Sequence, residues 1–265
     1  MNRKTLNIPS SGRQMKTILL EPGHRKEKLP GILWIHGGGY MLGMASMVDF
    51  SCGKLLARRY GARVFSPEYT LANKAPYPAA LEDCYAALEY MWDHAEDLKI
   101  DRERIIVGGE SAGGGLTAAL CLYARDRKKV KVAMQLPLYP MIDCHDTESS
   151  RNNRGKIWNT RRNHWGWKHY LGDLYGKEVP AYASAARAED YSDLPYCYTY
   201  VCDGEPFYAE TLRYVEDLRN HGVEADIDIY HGDLHAFDML CFWTKKARRA
   251  KEKLCQIYSS HIDLV

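Results

Sequence analysis

Short apolar runs alternate along this chain with longer stretches of helical periodicity, and that alternation constrains the fold more than any other feature. It builds a mostly parallel sheet covered by helices on both faces. The spacing predicts strands over residues 17–20, 31–35, 63–66, 105–107, 132–136, 196–202 and 225–230. Helices are predicted over 49–59, with Phe50, Leu55 and Leu56 on one side, and over 79–98, introduced by Pro76 and Pro78. Three more are predicted over 112–125, 209–220 and 244–259. A chain of 265 residues can bury one sizeable core, so a single domain over 1–265 is expected. The residues before the first predicted strand read as a short polar tail.

One region departs from the alternation. Residues 143–193 are polar and basic, carry no strand signal, and include Trp158, Trp165, Trp167, Tyr170 and Tyr175. They read as an insertion over the C-terminal edge of the sheet, with the aromatics packing a small helical subdomain onto the core. Arg151, Arg154, Arg161 and Arg162 read as its solvated surface.

Lysine and arginine number 36 against 34 acidic residues, a formal charge of +2, which creates no strong field for nucleic acid or an anionic membrane. A neutral or weakly charged small molecule fits better as the partner. No stretch approaches the length of a membrane span, and residues 1–16 have no apolar run of the kind a secretory signal needs. The eight cysteines lack metal-ligand spacing and read as reduced, packed thiols, so a cytoplasmic location is expected.

The chemistry is carried where the run 105–107 meets the helix at 112. Gly109-Glu110-Ser111-Ala112-Gly113 matches G-x-S-x-G between a buried strand and a helix, the context this motif requires. The turn is tight and strains the serine backbone, so its neighbours must be small, and Gly109, Gly113 and Gly114 are. Ser111 then stands at a helix N-terminus, where the dipole favours developing negative charge. A second motif, His36-Gly37-Gly38-Gly39-Tyr40, follows the strand 31–35. Glycines there let backbone N–H groups turn toward a ligand oxygen, so the amides of Gly38, Gly39 and Ala112 are the predicted oxyanion hole.

A serine hydroxyl needs a base to take its proton, and the order with this motif is serine, acid, histidine. His235 follows the last predicted strand on a loop able to reach the elbow, whereas His231 sits at the strand's end and reads as a structural or solvent residue. The remaining histidines read as surface residues. For the acid, Asp203 and Glu205 both stand at the end of the strand 196–202, and either carboxylate could orient the imidazole.

Taken together, these motifs resemble the hormone-sensitive lipase-like family of esterases, over nearly the whole chain after about residue 14. The stretch His36 through Gly43 is similar to the family's HGGGY motif and its following glycine, and Pro78-Ala79-Ala80-Leu81-Glu82-Asp83 to its PAALED helix start. Tyr69-Thr70-Leu71-Ala72 is similar to YRLAPE, with Thr70 in place of arginine and Asn73-Lys74 in place of proline-glutamate. The family's acid stands in D-P-x-x-x-E-T, and Glu205-Pro206-Phe207-Tyr208-Ala209-Glu210-Thr211 falls into that register. The resemblance thus implies Glu205 as the acid, with Asp203 the runner-up. It also implies an α/β-hydrolase fold, a lid over residues 143–193, and a serine carboxylesterase that needs no metal or organic cofactor. A lid with an abbreviated N-terminal half implies an open pocket for short acyl chains or for acetyl esters of sugars and other small alcohols. An amide or peptide bond is the alternative substrate for the same triad. A noncatalytic receptor on this fold is the remaining reading, which the presence of His235 disfavours. Relatives dimerise through the last strand, and a homodimer is the assembly this resemblance implies.

Overall fold

The computed structural model describes residues 1–23 and 27–262. Its sheet strands are β1 (Asn2–Ser10), β2 (Arg13–Glu21), β3 (Leu29–Ile35), β4 (Arg63–Pro67), β5 (Ile100–Glu110), β6 (Met134–Leu138), β7 (Tyr196–Cys202) and β8 (Ala225–Tyr230). The helices are α1 (Cys52–Tyr60), α2 (Ala79–Asp93), α3 (Ala112–Arg127), α4 (Thr160–Leu171), α5 (Tyr208–Asn220), α6 (Phe237–Leu240) and α7 (Lys245–Ile262). The strands form one eight-stranded sheet in the order β1-β2-β4-β3-β5-β6-β7-β8. β1 and β2 pair antiparallel, as do β2 and β4, and every later pairing is parallel.

Alternation along the strands divides the interior in two. Leu33 and Ile35 of β3 face a cluster built with Leu88 of α2, Leu116 and Leu120 of α3, Tyr170 of α4 and Leu218 of α5. Ile32 and Trp34 face the opposite cluster, which holds Leu56 of α1, Phe237 of α6, and Leu254 and Tyr258 of α7. Both faces are therefore covered, as a parallel sheet requires. No helix among the described residues is long and apolar enough to cross a membrane.

Three sequence expectations are corrected. The supposed polar tail is β1, joined to β2 by the turn at Ser11 and Gly12. It is a sheet edge that buries only Ile8 and Ser10, so its composition carries no alternating apolar signal. The helix expected over 49–59 is a 3-10 turn, Ala45–Phe50, followed by α1. Ser51 separates them by accepting a hydrogen bond from the Lys54 N–H as the N-cap of α1, and Phe50, expected on one helix side with Leu55 and Leu56, is 77% exposed. α2 ends at Asp93, where His94 leaves helical geometry, rather than continuing to 98. The region 143–193 contains no strand, as expected, and holds α4 and short 3-10 turns. Its Trp158, Trp167 and Tyr170 are buried, whereas Trp165 and Tyr175 are exposed, as are all four of its arginines named above.

Candidate active site

Between the last residue of β5 and the first of α3 stands Ser111 alone, at φ 57° and ψ −119°. That positive φ is costly for a residue with a side chain, and the surroundings hold it in place. The Ser111 N–H donates to Leu138 O at 3.0 Å, and Met141 N–H donates to Ser111 O at 3.0 Å. A Cβ on Gly113 would lie 2.1 Å from Ile35 O, so the elbow packs directly on the end of β3.

Two loops bring their side chains to this point. His235 follows β8 and places Nε2 2.9 Å from Ser111 Oγ. Its Nδ1 hydrogen-bonds Glu205 Oε2 in a short contact, and Glu205 Oε1 accepts the Cys202 N–H at 2.7 Å. The rings of Tyr139 and Phe207 stand edge-on to the imidazole, each 5.1 Å between centroids, so its plane is held from two sides. Exposure falls from 7% at Ser111 through 4% at His235 to zero at Glu205. A buried carboxylate against Nδ1 fixes the tautomer that leaves Nε2 free to take a hydroxyl proton, and it stabilises the imidazolium that results. Asp203 faces elsewhere: its carboxylate accepts from Gly232 N–H at 2.9 Å and lies 2.9 Å from Nδ1 of the exposed His231. The structure thus brings Ser111, His235 and Glu205 together and leaves Asp203 with His231 outside.

The glycine turn lies beside the serine. A Cβ on Gly37 would be 3.2 Å from Ser111 Cβ. Gly38 and Gly39 have φ of 124° and 59°, and a Cβ on Gly39 would fall 2.0 Å from the Trp158 ring. The region 143–193 therefore rests on the turn itself, through Trp158 and through Gly166, whose Cβ would lie 2.9 Å from Gly39 O. Ala112 opens α3, so its amide belongs to a helix N-terminus.

His36, expected at the surface with the other histidines, is buried. It stacks on Tyr69 at 4.2 Å, and its Nδ1 lies 2.8 Å from Gly37 O, an acceptor, so Nδ1 carries the hydrogen. Burial lowers its pKa and keeps it neutral. His24 lies outside the described residues.

Sequence reasoning passed over two kinds of support. Glu210, buried in α5, accepts the N–H groups of Ile142 at 2.7 Å and Asp143 at 3.2 Å, and so pins the chain that leaves the elbow. Burial raises its pKa well above the usual carboxylate range. Its signal was the glutamate in the E-T pair after Glu205, read there only as register. Glu110 and Asp238 are also buried close behind the site, and nothing in their spacing announces it.

A profile of the alpha/beta hydrolase fold family matches residues 32–239, which include Ser111, Glu205 and His235. The chain belongs to the α/β-hydrolase family. Within it, the hormone-sensitive lipase-like branch expected from the motifs is the one matched. The α/β-hydrolase relatives include the esterase LipI of Mycobacterium tuberculosis, 32% identical over 200 residues, which are 75% of this chain and 62% of that one. The chain therefore spans less than two thirds of that relative. An acetyl esterase of Salmonella schwarzengrund is 28% identical over 245 residues, covering 89% of this chain and 73% of the relative. Among solved α/β-hydrolase structures, a bacterial heroin esterase superposes with a TM-score of 0.94 at 33% identity, over 98% of this chain and 84% of that one.

Proposed function

We propose that this α/β-hydrolase is a serine carboxylesterase that hydrolyses short-chain acyl esters, including acetyl esters of sugars or other small alcohols, through an acyl-enzyme. The observation that carries this reading is the hydrogen-bonded line from Ser111 Oγ through His235 to Glu205, set beside the Gly38-Gly39 turn. Ser111 Oγ attacks the ester carbonyl as His235 Nε2 takes its proton, and the Gly38, Gly39 and Ala112 amides receive the oxyanion. His235 then protonates the departing alcohol, and water activated by the same imidazole cleaves the acyl-enzyme.

Residues 143–193 act in this reading as a lid, with Trp158 above the oxyanion turn. The acetyl esterase among the relatives favours a small acyl group. The named relatives are esterases, which favours an ester over an amide as the bond cleaved. Eight free thiols, most of them buried, accord with a reducing cytoplasm. β8 forms the open edge of the sheet, and a homodimer across it belongs to the same proposal.

Aryl esters of increasing acyl length, with matched amides, test the reading. Acetyl and propionyl esters are expected to turn over fastest, and Ser111→Ala to abolish turnover without changing the circular dichroism. Best turnover on long acyl chains or on amides would overturn the substrate assignment. A fully active Ser111→Ala would overturn the mechanism.

A further inference from the structure

The Ser111 elbow and the His235 loop reach the site from distant parts of the chain, and proton transfer between them depends on alignment within tenths of an ångström. Behind them, on the face covered by α1 and α7, lies a closed group of polar side chains with no part in the reaction. Glu110 immediately precedes Ser111 and is buried, with both carboxyl oxygens 2.8 Å from the Trp34 Nε1–H donor. The backbone of Cys52, first residue of α1, also lies against the Glu110 carboxyl. The Cys52 thiol in turn lies 3.7 Å from Asp238 Oδ2 and 3.7 Å from the Tyr200 hydroxyl. Asp238 is three residues beyond His235 in α6, fully buried, and its Oδ1 has no hydrogen-bond partner. The Tyr139 phenol faces Asp238, while its ring is one of the two that pack on His235. A Cβ on Gly53 would lie 2.7 Å from the Trp34 ring, so α1 is seated on the indole with no slack.

Two carboxyl groups in an apolar chamber cost folding free energy that well-packed hydrophobic side chains would not. Their placement explains what the cost achieves. One precedes the nucleophile, the other follows the base, and a single residue touches both. We propose that Glu110 and Asp238, bridged by Cys52, are positioning residues that hold the Ser111 elbow and the His235 loop in register. This inference rests on the reading of Ser111 as nucleophile and His235 as base. Burial and the nearby Asp238 push Glu110 up to about 8, so at neutral pH its carboxyl retains a proton while still accepting from Trp34.

The test compares Cys52→Ala, Cys52→Ser, Asp238→Ala, Asp238→Asn, Glu110→Ala and Glu110→Gln in the full chain. Three quantities are read: kcat and KM on a short aryl ester, the rate of Ser111 labelling by a fluorophosphonate, and near-ultraviolet circular dichroism. Cys52→Ala and Asp238→Ala are expected to lower kcat at least tenfold with KM within twofold, and to slow labelling in parallel. Cys52→Ser restores a donor and Glu110→Gln keeps both a donor and an acceptor, so each should recover most of the activity lost in the matching alanine variant. The double variant Cys52→Ala with Asp238→Ala should be no slower than the worse single, because both break one link. Folded variants with kcat like the parent, losses confined to KM, or multiplicative losses in the double variant would overturn the proposal. If Asp238→Ala does not fold, Asp238→Asn and the two Cys52 variants decide by the same criteria. Failure of the underlying reading has a separate signature: a parent chain that resists the fluorophosphonate and a Ser111→Ala variant that stays active.

Discussion

Asp203 and Glu205 leave the end of β7 two residues apart and face different histidines: Glu205 Oε2 meets Nδ1 of buried His235, and Asp203 Oδ2 lies 2.9 Å from Nδ1 of His231. The turn reverses direction between them, with Asp203 N–H donating to Tyr230 O and Glu205 N–H to Cys202 O.

This separation predicts opposite outcomes at two neighbouring carboxylates. Glu205→Gln should lower kcat by about 10⁴, the loss typical when an amide fixes the wrong imidazole tautomer. Asp203→Asn should leave kcat within about twofold, since its contact with His231 is exposed and stands outside the Ser111–His235–Glu205 line. Steady-state kinetics on one aryl ester compare the two.

A methyl group at Gly39 has nowhere to go. Gly39→Ala would drive a Cβ into the Trp158 ring and hold an L-residue at φ 59°. Overpacking of this kind costs about 1–3 kcal/mol, and the turn that carries the proposed oxyanion amides must shift. Thermal denaturation should show a Tm lowered by several degrees, with activity lost beyond what the Tm accounts for. Trp158→Ala in the same background should relieve the clash and leave the φ strain, so the two substitutions should couple favourably in a double-mutant cycle.

Glu110 gives stability a slope with pH. Its folded-state pKa is raised from 4.5 to about 8, chiefly by burial. Between those values the unfolded chain has released the proton that the folded chain keeps, so stability falls as pH rises from 4.5 to about 8 and levels off above. Glu110→Gln cannot titrate, and the difference in Tm between it and the parent should widen across that window. A constant difference from pH 5 to 9 would contradict this.

His36 has the opposite sign. Burial lowers its pKa below 6.5, so stability present above 6.5 is lost as pH falls through the folded-state value. Replacing His36 with Asn should remove that acid-side slope, at the cost of the stacking on Tyr69. Chemical denaturation at pH 5 and pH 7 measures both effects.

The groups that meet at the candidate site were legible because the proposed chemistry demands particular residue types at fixed places: a serine between glycines at a strand–helix junction, and a histidine after the last strand. The central strands were legible because both their faces are buried. β1 was not, since a sheet edge needs only backbone pairing and can be almost wholly polar. Helical spacing puts Phe50 on one side with Leu55 and Leu56, but a 3-10 turn changes the angular step between residues and swings it outward. Glu110 and Asp238 read as ordinary charged residues because burial of a carboxyl depends on partners distant along the chain, such as Trp34 for Glu110 and Cys52 for Asp238.

The ring of Trp158 on the Cα of Gly39 joins the region 143–193, proposed as a lid, to the turn proposed to carry the oxyanion amides. In that reading, remodelling the region 143–193 to admit a bulkier substrate disturbs the backbone that would steady the reaction's negative charge. The proposed function then implies that selectivity and turnover are not tuned as independent traits, and that changes at 158 need companions near 39 to preserve both.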